Sequence, residues 1–148
     1  MEKNNAGKKL WEYNTIFKEN DEIYRNAASD LGLSDCTMWI LYALRADGTV
    51  TQKDICGAIY YPKQTVNSAL KKLESDGCIV LSEMEDRRSK QISLTPKGVK
   101  LSEKTADRVI EAELAALSGL TDAEWETFIG IFRKYTKLLK NNMQFHSQ

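Results

Sequence analysis

The stretch Asp86-Arg87-Arg88-Ser89-Lys90-Gln91-Ile92-Ser93-Leu94-Thr95-Pro96-Lys97-Gly98 changes character twice within a few residues. It opens on a charged run, passes into the alternating Gln91-Ile92-Ser93-Leu94, and ends on Thr95-Pro96-Lys97-Gly98. The alternation reads as a β-strand with one buried face. Thr95-Pro96 then restarts helix, the threonine as N-cap and the proline in the first turn, where its missing N–H is harmless. Just upstream, Cys78-Ile79-Val80-Leu81 reads as a second strand, so the polar segment from Glu83 to Lys90 is the tip of a β-hairpin.

Moving outward from the hairpin toward the N-terminus, Pro62 fits the first position of a helix that carries Val66, Ala69, Leu70 and Leu73 inward. Asp76-Gly77 ends it, with Gly77 as the residue after the C-cap. Thr51-Gln52-Lys53-Asp54 resembles a capping box with Asp in place of Glu and opens a short helix through Ile55 and Ala58. Ile59-Tyr60-Tyr61 is the turn between the two helices. Asp47-Gly48 is a turn signal, and Thr49-Val50 a short extended link. Ser34 caps a helix running to about Arg45, with Met38, Leu41, Tyr42 and Leu44 on its apolar side. The first helix covers about residues 8 to 30, with Leu10, Tyr13, Phe17, Tyr24, Ala27 and Leu31 at helical steps, and Gly32 stops it.

Toward the C-terminus, one helix is predicted from Pro96 to about Leu117. Thr121-Asp122-Ala123-Glu124 is a capping box for a last helix to about Asn141, with Trp125, Phe128, Phe132, Tyr135 and Leu139 as a heptad-like seam. The predicted fold is mainly α with a small β-hairpin wing: a winged helix-turn-helix flanked by helical arms. Its divisions are 1–33, an N-terminal dimerisation helix; 34–98, the winged helix-turn-helix; and 99–148, C-terminal dimerisation helices.

Composition narrows the function. The chain has 148 residues, 42% hydrophobic and 28% charged, which is ordinary for a globular protein. Lys plus Arg and Asp plus Glu balance at 21 each, which argues against non-specific coating of nucleic acid but leaves room for a local basic face. Residues 61–100 hold 8 basic and 5 acidic side chains, a modest local excess. The cysteines, Cys36, Cys56 and Cys78, are odd in number and lack a CxxC pair, and the only histidine is His146. Neither a disulfide framework, a metal site nor a histidine-based triad has the residues it needs, so no cofactor and no enzymatic activity are expected. No long apolar run or signal segment is present, so a cytoplasmic protein without membrane contact is expected.

Two short helices followed at once by a hairpin are the parts of a winged helix-turn-helix, whose second helix enters the DNA major groove. That helix presents Lys63, Gln64, Thr65, Asn67, Ser68 and Lys71 outward. Gln and Asn pair with adenine edges, Lys with guanine or phosphate, and Thr with a thymine methyl. The hairpin tip adds Arg87, Arg88 and Lys90 on a loop too short to bury them. Such a wing can place an arginine in a narrow minor groove, with Asp86 bracing Arg88.

The same stretch, from Asp86 through Leu94-Thr95-Pro96-Lys97-Gly98, resembles the wing signature of the MarR (multiple antibiotic resistance regulator) family of bacterial transcription regulators. Leu33-Ser34, Leu41, Lys63-Gln64-Thr65-Val66 and Leu73-Glu74-Ser75-Asp76-Gly77 match that family's order and spacing. The resemblance implies a homodimer with intertwined terminal helices, each subunit offering one winged helix to a pseudo-palindromic operator in duplex DNA. It puts Arg88 in the minor groove and Lys63 to Lys71 at the major groove. One departure is Thr37, where the family often has glutamine.

The family commonly responds to small aromatic or amphipathic effectors in a crevice beside the winged domain. Here Tyr13, Phe17, Trp39 and Tyr42 are the lining candidates and Arg25 the partner for a carboxylate, although plain core packing explains the same aromatics. The function expected is a ligand-responsive repressor. Two alternatives stand beside it: a thiol-based redox sensor using Cys36 near a helix N-terminus, and a winged-helix module that binds protein rather than DNA.

Overall fold

The structure, a computed structural model, describes residues 3–48, 50–83 and 90–145. It runs α1 (Lys3–Asp30), α2 (Asp35–Asp47), β1 (Val50–Thr51), α3 (Gln52–Ile59), α4 (Lys63–Ser75), β2 (Ile79–Glu83), β3 (Lys90–Leu94), α5 (Pro96–Lys104), α6 (Ala106–Leu117) and α7 (Asp122–Asn142). The chain divides into two compact units, Met1–Ile110 and Glu111–Gln148.

In the first unit the core is built from one face each of α2, α3 and α4 and the inner face of the sheet. Ile40, Leu41 and Leu44 of α2 meet Ile55 of α3, Val66, Leu70 and Leu73 of α4, and Ile79 and Ile92 of the strands. The strands pair antiparallel in the order β1-β3-β2. Ile79 opposes Leu94 and Leu81 opposes Ile92, so period-two alternation turns these four toward the helices. A smaller cluster holds Ala28 of α1, Met38 of α2 and Val109 of α6.

Several elements differ from the sequence expectation. The first helix begins at Lys3, because Gly7 weakens a helix by about 1 kcal/mol but does not stop propagation once the helix has formed. The expected extended link contains a strand: Val50 pairs with Ile92 and Thr51 with Gln91, giving the sheet a third member. Two residues are too few to show periodicity. Pro62 precedes its helix with φ −54° and ψ 140° rather than opening it, and its carbonyl accepts the Val66 N–H at 3.1 Å.

The helix expected from Pro96 to Leu117 is broken at Thr105, where φ is −130° and ψ −90°. The Ser102 hydroxyl donates to Gly98 O at 2.9 Å and the Thr105 hydroxyl to Leu101 O at 2.7 Å. Both residues are buried, so the carbonyls they bond are their means of satisfaction. Hydroxyls that bond back along the chain bend helices, and two sit within one turn here. The Thr105 carbonyl then starts α6 by accepting from Arg108 and Val109.

In the second unit, α7 is opened by the expected capping box. The Thr121 hydroxyl accepts from Glu124 N–H at 3.1 Å, and the Glu124 carboxylate accepts from Thr121 N–H at 2.8 Å. The seam is present as a ladder of rings, Trp125 to Phe128 at 5.8 Å and Phe128 stacked on Phe132 at 5.7 Å. Among the described residues, no helix is long and apolar enough to cross a membrane.

Candidate nucleic-acid interface

The helix pair α3–α4 forms as its local sequence dictates. Thr51 accepts from Asp54 N–H at 3.1 Å while the Asp54 carboxylate accepts from Thr51 N–H at 3.0 Å, completing the box with Asp in the Glu position. These bonds to Thr51, backbone first, hold the Asp54 carboxyl below its usual range. The turn is made by Tyr60, whose φ of 55° lies in the left-handed region and whose side chain is 88% exposed.

On α4, burial separates two faces. Val66, Leu70 and Leu73 are buried, whereas Lys63, Gln64, Thr65, Ser68 and Lys71 are exposed. Asn67 is half-buried, and its Oδ1 accepts a hydrogen bond from Gln52 Nε2 at the start of α3. Sequence reasoning did not single out Gln52, since a glutamine in a first helical turn is unremarkable by itself.

The far end of α4 is fastened to the base of the wing. Gly77, at φ 74°, ends the helix in a Schellman motif: its N–H reaches Glu74 O at 2.9 Å, and Cys78 N–H reaches Leu73 O at 2.8 Å. The Thr95 hydroxyl donates to Gly77 O at 2.6 Å, and Lys97 Nζ donates to Asp76 O at 2.6 Å. Thr95 also caps α5, accepting from Gly98 N–H at 3.1 Å. The Thr95-Pro96-Lys97-Gly98 motif thus latches the wing base to the helix between the strands and α3. Of the predicted wing contacts, Lys90 is exposed and opposes Glu83. Asp86, Arg87 and Arg88 lie outside the described residues.

The candidate effector residues fall into two groups. Tyr13 and Phe17 pair along α1 with ring centroids 6.2 Å apart. Trp39 packs instead between Tyr24 at 4.9 Å and Tyr42 at 5.2 Å. Tyr24, which helical spacing places only in the α1 stripe, joins this stack because α1 packs against α2 there. Arg25 sits 3.4 Å from Asp21, one turn earlier. Near that pair, at the start of α2, Asp35 accepts from the Tyr61 hydroxyl through Oδ2, while its Oδ1 is buried with no hydrogen-bond partner. Burial, then the charge of Asp21, push the Asp35 carboxyl up; Arg25 opposes them.

Cys36 lies at the start of α2 but lacks the exposure that a reactive thiol needs. It is 4% exposed, and burial, followed by the nearby Asp35 charge, pushes its thiol up, away from the thiolate. Cys78 is buried too, and Cys56 packs partly against the core. On α2's other end, Arg45 makes a forked pair with Asp107 of α6, at 2.7 and 2.6 Å. Among the described residues no cluster of His, Cys, Asp and Glu gathers as metal ligands.

Comparison with known proteins gives this arrangement its context. A family model described as the MarR family matches residues 31–89. An uncharacterized HTH-type transcriptional regulator of Bacillus subtilis (strain 168), YwoH, is 31% identical over 104 residues, covering 70% of this chain and 76% of YwoH. Among solved structures, the MarR family regulator NMB1585 from Neisseria meningitidis superposes with a TM-score of 0.82 at 23% identity, over 91% of this chain and 96% of that one. S. aureus MepR in its complex with DNA gives a TM-score of 0.65 at 26% identity, over 87% and 96%. BpsR from Bordetella bronchiseptica, whose DNA binding is regulated by 6-hydroxynicotinic acid, gives 0.63 at 21% identity, over 84% and 98%.

Proposed function

This chain belongs to the MarR family of transcription regulators, and from that we propose that it reads a pseudo-palindromic operator in duplex DNA as a homodimer. The observation that carries this reading is the two-faced α4, held to the core by Val66, Leu70 and Leu73 while Lys63, Gln64, Thr65, Ser68 and Lys71 stay exposed. Lysines on such a face neutralise phosphates, and the neutral polar side chains, Asn67 among them, reach base edges in the major groove. Arg88, braced by Asp86, enters the minor groove, with Arg87 and Lys90 on the flanking backbone. MepR, solved on DNA, supports the assignment at the level of family.

The second copy is needed to cover apolar surface. In α1, Trp11 is 76% exposed, with Ile16 and Phe17 exposed nearby; in α7, Phe128 and Ile131 are exposed. Segments 1–33 and 99–148 are therefore the dimerisation arms and 34–98 the DNA-binding module. The regulator is a repressor of the cytoplasm that releases DNA when a small aromatic or amphipathic effector binds beside Trp39 and Tyr42, with Tyr13, Phe17 and Arg25 contributing. The half-buried stack of Tyr24, Trp39 and Tyr42 and the regulated behaviour of BpsR support that part.

Fluorescence anisotropy tests the reading, using the full chain with labelled duplex from upstream of its own gene and a scrambled duplex, at several salt concentrations. Tight, salt-sensitive binding to the native duplex at one dimer per site is expected. Equal weak binding to both duplexes, repeated with duplexes selected from a random pool, would overturn it.

A further inference from the structure

Gln52 is the first residue of α3, directly after the Thr51 cap, and Asn67 stands in the second turn of α4. Their amides meet: Gln52 Nε2 donates to Asn67 Oδ1, and both side chains are half-buried. A primary amide carries its acceptor on one arm and its two donors on the other. With Oδ1 turned back toward α3, the arm left for a ligand is the Nδ2 amino group. Adenine takes an asparagine through both arms, its N6–H to Oδ1 and its N7 from Nδ2–H. That two-point geometry needs Oδ1 and Nδ2 side by side on the base edge, and the bond from Gln52 turns Oδ1 toward α3 instead, although its second lone pair stays unused. A donor-only arm suits major-groove edges whose acceptors have no donor beside them, guanine N7 and O6 or thymine O4, whereas adenine sets its N6 donor next to N7, where it would face the amino group.

We propose that Gln52 is a specificity-determining positioning residue, which fixes the Asn67 amide so that it selects guanine or thymine rather than adenine. The proposal rests on the reading of α4 as the recognition helix. It revises the sequence expectation of an adenine contact, which treats the asparagine amide as free to use both arms. Gln52 touches no base in this scheme. It acts through orientation, removing the alternative amide rotamer and the mixed preference that would accompany it.

The test is selection of binding sites from a random duplex pool by the full-length protein, with sequencing of the enriched pool. Asn67→Ala identifies the operator position that Asn67 reads, as the one whose preference collapses. In the wild type that position is expected to favour guanine or thymine about five- to tenfold, the value of one good hydrogen bond. Gln52→Glu places a carboxylate, an acceptor only, beside Asn67, so the amide must turn to donate to it and present Oδ1 instead. The same position should then favour adenine or cytosine, whose N6 and N4 are donors, while other positions keep their preference. Gln52→Ala should flatten that one position without inverting it.

Adenine at the Asn67 position in the wild type overturns the proposal whether or not any Gln52 variant folds. So does a Gln52→Glu protein, native by thermal melting, with unchanged preference, or an Asn67→Ala protein that relaxes no position. Failure of the wild type to enrich any sequence would instead overturn the DNA-binding reading itself, and this proposal with it.

Discussion

The carbonyl oxygen of Cys78 lies where residue 98 has no room for a side chain, since a β-carbon on Gly98 would come within 1.9 Å of it. The same oxygen accepts the Thr95 N–H at 3.0 Å. Glycine is required at 98 for close approach, and the approach closes the latch between the end of α4 and the start of α5.

Replacing Gly98 by Ala should therefore destabilise the fold by about 2–3 kcal/mol, in the range of an overpacked core. The clash is with backbone, which cannot swing aside. Thr95→Val removes a helix cap and the bond to Gly77 O together, with an expected loss of about 1–2 kcal/mol. Urea midpoints check both, and an unchanged midpoint for Gly98→Ala would mean that the two segments separate freely.

The Arg45–Asp107 fork joins α2 to α6 with side chains 30% and 21% exposed. Its partial burial and two-point geometry place it above an ordinary surface pair, so Arg45→Ala should lower stability by about 1 kcal/mol. Arg45→Lys should recover less than half, because one ammonium cannot make both bonds in the same geometry. A double-mutant cycle with Asp107→Ala isolates the coupling.

Tyr60 holds a left-handed conformation with its side chain almost wholly in solvent, so folding gains little from the ring. Tyr60→Asn keeps a side chain that tolerates this conformation and should raise stability by up to about 1 kcal/mol. A fall in melting temperature would show that the ring makes a stabilising contact.

Asp35 should give stability an inverse dependence on pH. Its carboxyl is pushed above 3.8 in the fold, so between 3.8 and its raised folded value the native state holds more protons than the unfolded one. In that window stability falls as pH rises, and below it the cost of burying the charge is absent. Asp54, held low, has the opposite sign: its contribution is present above 3.8 and is lost as pH falls through its lowered folded value. Denaturation of the wild type and Asp35→Asn from pH 3 upward should show the Asp35 slope removed in the variant. Carboxyl NMR titration would sink the idea by finding Asp35 at or below 3.8.

On DNA, the lysines and the amides of α4 should separate by their salt signatures. Lys63→Ala should weaken binding to all sequences alike and reduce the salt slope by roughly 1, the release of one counterion. Gln64→Ala should leave that slope nearly intact and relax one operator position by about 1–3 kcal/mol. The reverse pattern would exchange their roles.

Most of the architecture was legible because four of the helix starts carry their own chemistry. Ser34, Thr51, Thr95 and Thr121 all cap the helices they were read to cap. Gly77 ends α4 through its left-handed φ, as the sequence implied. What escaped was tertiary. The strand at Val50–Thr51 exists only because β3 pairs with it, and the break at Thr105 depends on two hydroxyls finding carbonyls in a buried turn. In the candidate site, the exposed and buried positions of α4 follow from helical spacing except at Asn67, expected outward but half-buried against Gln52. Gln52 does not, because its partner lies 15 residues away across a turn.

Thr51 belongs to two structures at once. It is the last residue of β1, opposite Gln91 of the wing strand, and the cap that starts α3. The next residue is Gln52, whose amide reaches Asn67. Only one peptide bond separates the wing's sheet from the side chain proposed to orient Asn67, so on that proposal the wing and the start of α3 stand in mechanical series. Operator mutations read by the wing and those read near Asn67 are then expected to be non-additive. A matrix that scores each base independently should misjudge operators changed at both places.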